Sequence, residues 1–247
     1  MGLSNFLLSD YRELMTYSDQ VKKYGLTKMA PLIITCSITG GQHGKEANPN
    51  LPETPQEQAQ STYDAYNAGA SLVHIHRRQP ENPALDSKKA EEYLEVNRLV
   101  REKCPEIIIN NTCIGGRLID TENMTTSELL HASTAARPEV ASIDITSTSQ
   151  RMHLGARTKE MGGERDAYLK HFDLINNDED IVELLKEFDQ YDIKPEWEMY
   201  NLTDIKRLRG IIDKGVVKGP HWCMMLFGGN GVFPNYQAMA LAMQMLP

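Results

Sequence analysis

Two histidines one residue apart, in Val73-His74-Ile75-His76-Arg77-Arg78, are the side chains of this sequence best placed to do chemistry. In an extended strand the side chains at i and i+2 share a face, so His74 and His76 point together while Val73 and Ile75 pack behind them. Two imidazoles on one face can supply two of the three protein ligands of an open zinc site. The same pair could instead be hydrogen-bonded core histidines, because so short a motif is weak alone. A second constellation is Pro195-Glu196-Trp197-Glu198-Met199-Tyr200, where Glu196, Glu198 and Tyr200 alternate with Trp197 and Met199. Carboxylates facing an interior are costly unless paired, protonated or metal-bound, so at least one is a candidate acid–base group or ligand. The bland alternative is a solvated strand end or a pairing with arginines. Polar residues close the other strands: Thr35, Ser37 and Thr39, then Asn110, Asn111 and Thr112, then Thr146, Ser147 and Ser149. They read as a binding rim, with Thr39, Asn111, Thr112 and Ser147 as the expected substrate contacts, or as ordinary loop-entry residues. The glycines of Gly40-Gly41, Gly115-Gly116 and Gly228-Gly229-Asn230-Gly231 could bring backbone amides to a phosphate or simply form turns.

The elements that must position these residues alternate regularly. Apolar, β-branched runs at 32–39, 71–77, 107–113, 140–146, 194–200 and 222–227 read as strands. Between them lie helical patterns at 86–104, 177–191, 203–213 and 235–246. Thr54-Pro55-Gln56-Glu57 opens a further helix, with an N-cap hydroxyl, proline at the first position and a glutamate to close a capping box. Strand and helix in alternation, with strands apolar on both faces, point to a parallel sheet. No G-x-G-x-x-G follows the first strand, so a dinucleotide-type open sheet loses its main support. The expected fold is a TIM-type (β/α)8 barrel, of which about six of eight βα units are present. A long insertion (149–176) separates the fourth and fifth strands. The expected organisation is an N-terminal leader over 1–30 and an incomplete barrel domain over 31–247. In such a barrel catalysis sits at the C-terminal ends of the strands, where His76 lies.

Composition narrows the function classes. Across 247 residues, 26 Lys and Arg against 34 Asp and Glu leave a net charge of −8, which argues against a broad nucleic-acid surface. Local arginines can still hold a small anion. The four cysteines are scattered without a C-x-x-C pair, so reduced thiols and a cytoplasmic location are expected. Polar residues interrupt the N-terminal apolar stretch, unlike a signal peptide, and no membrane partner is expected.

These segments resemble the β-keto acid cleavage enzymes, whose founding member is 3-keto-5-aminohexanoate cleavage enzyme. The resemblance runs from about residue 30 to 247. It rests on Thr35-Cys36-Ser37-Ile38-Thr39-Gly40, Asn48-Pro49-Asn50-Leu51-Pro52-Glu53-Thr54-Pro55, Ala68-Gly69-Ala70-Ser71-Leu72-Val73-His74-Ile75-His76 and Lys194-Pro195-Glu196. It implies a zinc-dependent (β/α)8 barrel that converts a β-keto acid and acetyl-CoA into acetoacetate and a new acyl-CoA. In the implied mechanism zinc acts as a Lewis acid on the keto acid, an enolate attacks acetyl-CoA, and the thiolate cleaves the old carbon–carbon bond. Carried over by position, His74 and His76 are similar to the family's zinc histidines, Glu196, the expected catalytic residue here, to the glutamate of its Lys-Pro-Glu strand, and Ser147 to its substrate-side hydroxyl. Gln42 stands where the founding enzyme has a glutamate facing the substrate amine, which predicts a neutral or acidic β-keto acid.

One departure stands out. The family's third zinc ligand lies in a C-terminal Arg-x-Gly-x-Glu-Asp segment with no counterpart here. The expectation is therefore a fragment or a shortened paralogue with little Claisen activity alone and open sheet edges that favour homo-oligomers. Two other readings stay open: a metal-dependent barrel hydrolase, or a non-catalytic barrel that binds a metabolite or partner. The hydrolase would want its H-x-H on the first strand and further ligand histidines on later ones. His43, His131, His153 and His171 fall instead in expected loops or helices, and His221 opens a strand.

Overall fold

The computed structural model describes residues 33–113, 126–229 and 231–247. The leader over 1–30, the Gly115-Gly116 turn and Asn230 lie outside the described residues. Six strands form one sheet: β1 (Thr35–Ser37), β2 (Leu72–Ile75), β3 (Ile108–Thr112), β4 (Val140–Asp144), β7 (Lys194–Met199) and β8 (Trp222–Met225). All neighbours are parallel, in the order β1-β2-β3-β4-β7-β8. A doubly wound sheet reverses its strand order at a switch point, whereas this one never does. Sequential order of this kind is that of a barrel wall, and the fold is a partial (β/α)8 barrel.

The helices α1 (Pro55–Asn67), α2 (Ala90–Lys103), α3 (Thr126–Ala135), α4 (Asp178–Tyr191), α5 (Leu202–Asp213) and α6 (Tyr236–Met245) fill the connections. The Thr54 cap forms as expected: Glu57 N donates to Thr54 Oγ1 at 3.2 Å, and Thr54 N donates back to Glu57 Oε2 at 2.9 Å. Helix α3 went unrecognised in the sequence because threonines, serines and His131 leave it no continuous apolar stripe. The alternation of the strands sorts side chains cleanly. Ala141, Ile143, Ile145, Trp197 and Met199 pack outward against Ile181, Leu184, Phe188 and Leu208, while Val73, Ile75 and Ile109 pack against Val96 and Val100. Each such aliphatic or phenylalanine side chain contributes roughly 1.5–3 kcal/mol on full burial. The apolar core therefore lies between sheet and helices, which leaves the concave face free to carry polar groups.

The insertion is a β-hairpin. Strand β5 (Thr148–Leu154) pairs antiparallel with β6 (Tyr168–Leu174) in a sheet of its own. His153 and His171, expected in loops or helices, lie on these strands. At the neck, Asn176 N donates to Ser147 Oγ at 3.0 Å, and Asn176 Nδ2 donates to the carbonyls of Asp144 and Thr146, each at 2.9 Å. Beyond the neck, the buried Arg157 joins the hairpin to the loop after β1. It meets Glu53 through two nitrogens, at 2.8 and 2.9 Å, and Glu46 at 2.5 Å. Among the described residues β1 and β8 are the sheet's edges. Phe233, Tyr236 and Met243, which follow β8 in the chain, are exposed. No helix of the described residues is long and apolar enough to cross a membrane.

Candidate metal centre

The two histidines do share a face: their ring centres are 5.0 Å apart, with planes at 70°. Both are buried, with Val73 and Ile75 in the core behind them. Burial, reinforced by neighbouring His76 and opposed by Asn110, lowers the His74 pKa to about 3. Its imidazole is therefore neutral at physiological pH, the form that ligates a metal. His74 Nδ1 is buried with no hydrogen-bond partner in the structure. Behind His76 stands Asp86, with Oδ2 3.6 Å from Nδ1, and Asp86 is in turn 3.7 Å from Arg78 Nε. On the other side Gln58 of α1 donates to the His76 carbonyl at 2.8 Å and fixes the strand end.

The carboxylates of β7 approach His74, and His76 is not among the ligand atoms gathered there. Ligand atoms of His74, Glu196 and Glu198 all lie within 4.8 Å of one another. In the sheet order β2 and β7 are three strand spacings apart, about 14 Å if the sheet were flat. Convergence over that interval requires a strongly curled sheet. Glu196 is only 1% exposed, and its two oxygens accept from Asn110 Nδ2 at 2.5 Å and Trp222 Nε1 at 2.9 Å. Burial raises its carboxyl pKa despite those two bonds. Glu198 is raised further, by burial first and then by the adjacent Asp144 and Glu196. Buried neutral nitrogen beside crowded carboxylates is a donor set that fits a divalent cation, zinc included.

The rim residues divide. Thr39 and Thr112 are buried at the strand ends. Asn111 does not face the site, because its Nδ2 points to the Ser133 carbonyl of α3 at 3.5 Å. Its neighbour Asn110 does, on the same face as His74. Ser147 is exposed, with its hydroxyl also donating to the Asn176 carbonyl at 3.1 Å, so it helps close the hairpin neck. Gln42 accepts from Lys170 Nζ at 2.9 Å. Asp86, Asp144 and Lys170 were missed by the sequence reading. Asp144 was within reach of it, as a carboxylate two residues before Thr146 on the polar parity of β4. Asp86 and Lys170 carry no local signature.

Asp86 stands behind His76 at 3.6 Å, without a hydrogen bond to it, in the place from which carboxylates commonly support metal-bound imidazoles. Asp86→Asn is expected to weaken zinc binding about 10–100-fold, measured by competition with a chromogenic chelator. An unchanged affinity would remove Asp86 from the centre.

A curled parallel α/β sheet with neutral histidines and carboxylates on its concave face defines a barrel protein whose chemistry is borne on strand ends. The chain belongs to the β-keto acid cleavage enzyme family, whose model matches residues 31–247. It is 30% identical over 216 residues to 3,5-dioxohexanoate:acetyl-CoA acetone transferase of Paraburkholderia graminis, covering 83% of this chain and 66% of that protein. It is 30% identical over 203 residues to 3-keto-5-aminohexanoate cleavage enzyme of Acetoanaerobium sticklandii, covering 82% and 65%. A third relative, 3-oxoadipate:acetyl-CoA acetyltransferase of Cupriavidus necator, is 28% identical over 83% of this chain and 62% of its own length. The chain thus spans somewhat under two thirds of the length of these relatives. Among solved structures, the complex of ObcA with oxaloacetate aligns at a TM-score of 0.51 and 18% identity, over 72% of this chain and 37% of that one, a likeness of fold.

Proposed function

We propose that this chain carries the metal-binding half of an acyltransferase site, taking a β-keto acid and acetyl-CoA to acetoacetate and a new acyl-CoA. The observation that carries the reading is His74, neutral, buried and with an unmet nitrogen, within 4.8 Å of Glu196 and Glu198. The names of the relatives, each an enzyme of this reaction type, support it. His74 and His76 would hold the zinc, with Glu198 or Glu196 completing the set. When bound, the ion supplies Lewis acidity toward the keto acid. Glu196, pinned by Asn110 and Trp222 and with its carboxyl made more basic by burial, is suited to accept a proton from the substrate. Thr39 and Thr112 offer hydroxyls at the strand ends, and Ser147 one at the rim. Asn111, turned toward α3, gives up its substrate role to Asn110. Gln42 presents an amide rather than a carboxylate, so an aminated substrate would forgo a charge-assisted bond worth about 1.5–3 kcal/mol. Four cysteines outside any disulfide fit a cytoplasmic protein, and the exposed apolar side chains that follow β8 fit self-association into a homo-oligomer.

Because the relatives extend beyond the matched region, ligand binding tests this reading more directly than turnover. Calorimetry of zinc-loaded protein with a β-keto acid is expected to show saturable binding that a chelator abolishes. Absence of binding to the loaded protein, or binding that survives metal removal, would refute the reading.

A further inference from the structure

We infer that Arg78 is a positioning residue for the histidine pair, acting on His76 through Asp86 and the loop after β1. The inference rests on the metal reading above and adds to it a group outside the ligand set. Arg78 follows β2 and is wholly buried. Buried charges are as a rule directly paired, yet Asp86 Oδ1 stands 3.7 Å from Arg78 Nε and makes no hydrogen bond to it. The other two guanidinium nitrogens go to main-chain carbonyls instead. Nη2 donates to the His43 carbonyl at 2.6 Å and to that of Gly40, and Nη1 donates to the Pro83 carbonyl at 3.1 Å. One side chain thereby ties the loop after β1 to the loop after β2. A planar fork of donors can hold acceptors on two segments at once, which the point charge of a lysine does poorly.

The tied loop lies against the support of His76. A side chain at Gly41 would place its first carbon 2.3 Å from Asp86 Oδ2 and 3.0 Å from His76 Nδ1, so the Gly41 backbone closes over both groups. Asp86 is held by its own main chain. It pairs with Arg78 in an isolated antiparallel bridge, and its carbonyl accepts from Gln79 Nε2 at 3.0 Å. His76 Nδ1 and both Asp86 carboxylate oxygens are buried without a hydrogen bond, with Nδ1 and Oδ2 3.6 Å apart. An ordinary N–H···O bond closes at about 2.9 Å, so a movement of about 0.7 Å decides whether Asp86 supports the imidazole. The segment that limits this movement is the loop at Gly41, and Arg78 grips it on both sides, at Gly40 and at His43. Partners that orient a metal-bound histidine control metal affinity, and here that control reaches back to a guanidinium.

The test is zinc affinity, read by competition with a chromogenic chelator, together with the visible spectrum of the cobalt-loaded chain, which follows ligand geometry. Arg78→Lys keeps the charge and loses the fork. It is expected to weaken zinc binding about 10–100-fold and to shift the cobalt bands, as Asp86→Asn should also do. Both substitutions act on His76 by one route, so the double variant should bind no more weakly than Asp86→Asn alone. A purely structural role for Arg78 would not produce that non-additivity. Gly41→Ala displaces the same loop with Arg78 in place and should shift the cobalt bands likewise. It decides the matter where thermal melting shows that Arg78→Lys has not folded. Wild-type affinity and spectrum in folded Arg78→Lys, in Asp86→Asn or in Gly41→Ala, or additive losses in the double variant, would overturn the role of Arg78 and leave the metal reading standing. Failure of the wild-type chain to take up zinc or cobalt would overturn the two together.

Discussion

Replacing His74 with alanine is expected to lower zinc affinity by roughly 50–1,000-fold. Apparent binding free energies of structural zinc run to about 10–16 kcal/mol over four ligands, or about 2.5–4 kcal/mol for each, and every 1.4 kcal/mol is tenfold. As proposed, His74 would be the ligand common to both halves of the centre: it pairs with His76 on β2 and approaches Glu196 and Glu198 on β7. With its pKa lowered to about 3, no proton competes for it at neutral pH. Glu198 behaves oppositely. Burial first, then Asp144 and Glu196, keeps its carboxyl protonated well above the usual range, so a cation must displace that proton. Zinc loading should therefore release protons, and affinity should fall as pH is lowered. Glu198→Gln is expected to remove most of that proton release. Competition titrations of wild type, His74→Ala and Glu198→Gln in buffers of different ionisation enthalpy read both quantities. Wild-type affinity in His74→Ala would mean that this histidine is a satisfied core residue and that the centre lies elsewhere.

Period-two alternation made much of this legible. It placed His74 with His76, and Glu196 with Glu198 opposite Trp197 and Met199, because in a parallel sheet covered by helices one parity must be apolar. It failed at β3 for a physical reason. Ile108 and Ile109 are both apolar, so the sequence does not say which parity faces the helices. Ile109 packs in the core, and that turns Asn111 outward to Ser133 and Asn110 inward to Glu196. The approach of β7 to β2 was equally out of reach, since it depends on how tightly the sheet curls. The hairpin was hidden because its purpose is not local. Arg157 meets Glu46 and Glu53 across more than a hundred residues of sequence, and Lys170 meets Gln42 likewise. Charged residues that look solvated in sequence become buried partners only when two distant loops meet.

Removing the side chain at Arg157 is expected to destabilise the fold by about 3–5 kcal/mol, because breaking a buried pair strands its partner's charge. In a domain of this size that corresponds to a drop of roughly 6–20 °C in melting temperature. The guanidinium side chain is fully buried, with donors fully used: Nε to the Gly162 carbonyl at 2.9 Å, Nη1 to Glu46 and Glu53, and Nη2 to Glu53 and the Met161 carbonyl. Gly44 makes room for it, since a side chain there would meet Glu53 Oε1 at 2.1 Å and Arg157 Nη1 at 2.3 Å. Arg157→Met keeps the volume and isolates the charge. It should leave Glu53 and Glu46 with Lys45 N, Gly44 N and Arg165 as their remaining partners. The acid response gives an independent check. Burial acts to raise the Glu46 carboxyl, but backbone hydrogen bonds and Arg157 outweigh it and hold the pKa below its ordinary 4.5. A depressed folded-state pKa contributes stability above the unfolded value and loses it as pH falls through the folded one. Wild-type melting temperature should accordingly fall as pH drops below 4.5, and Arg157→Met should show a shallower decline from a lower start. Equal melting temperatures at neutral pH would show that the hairpin is not held by this ion pair, and the route by which Lys170 reaches Gln42 would then need another anchor.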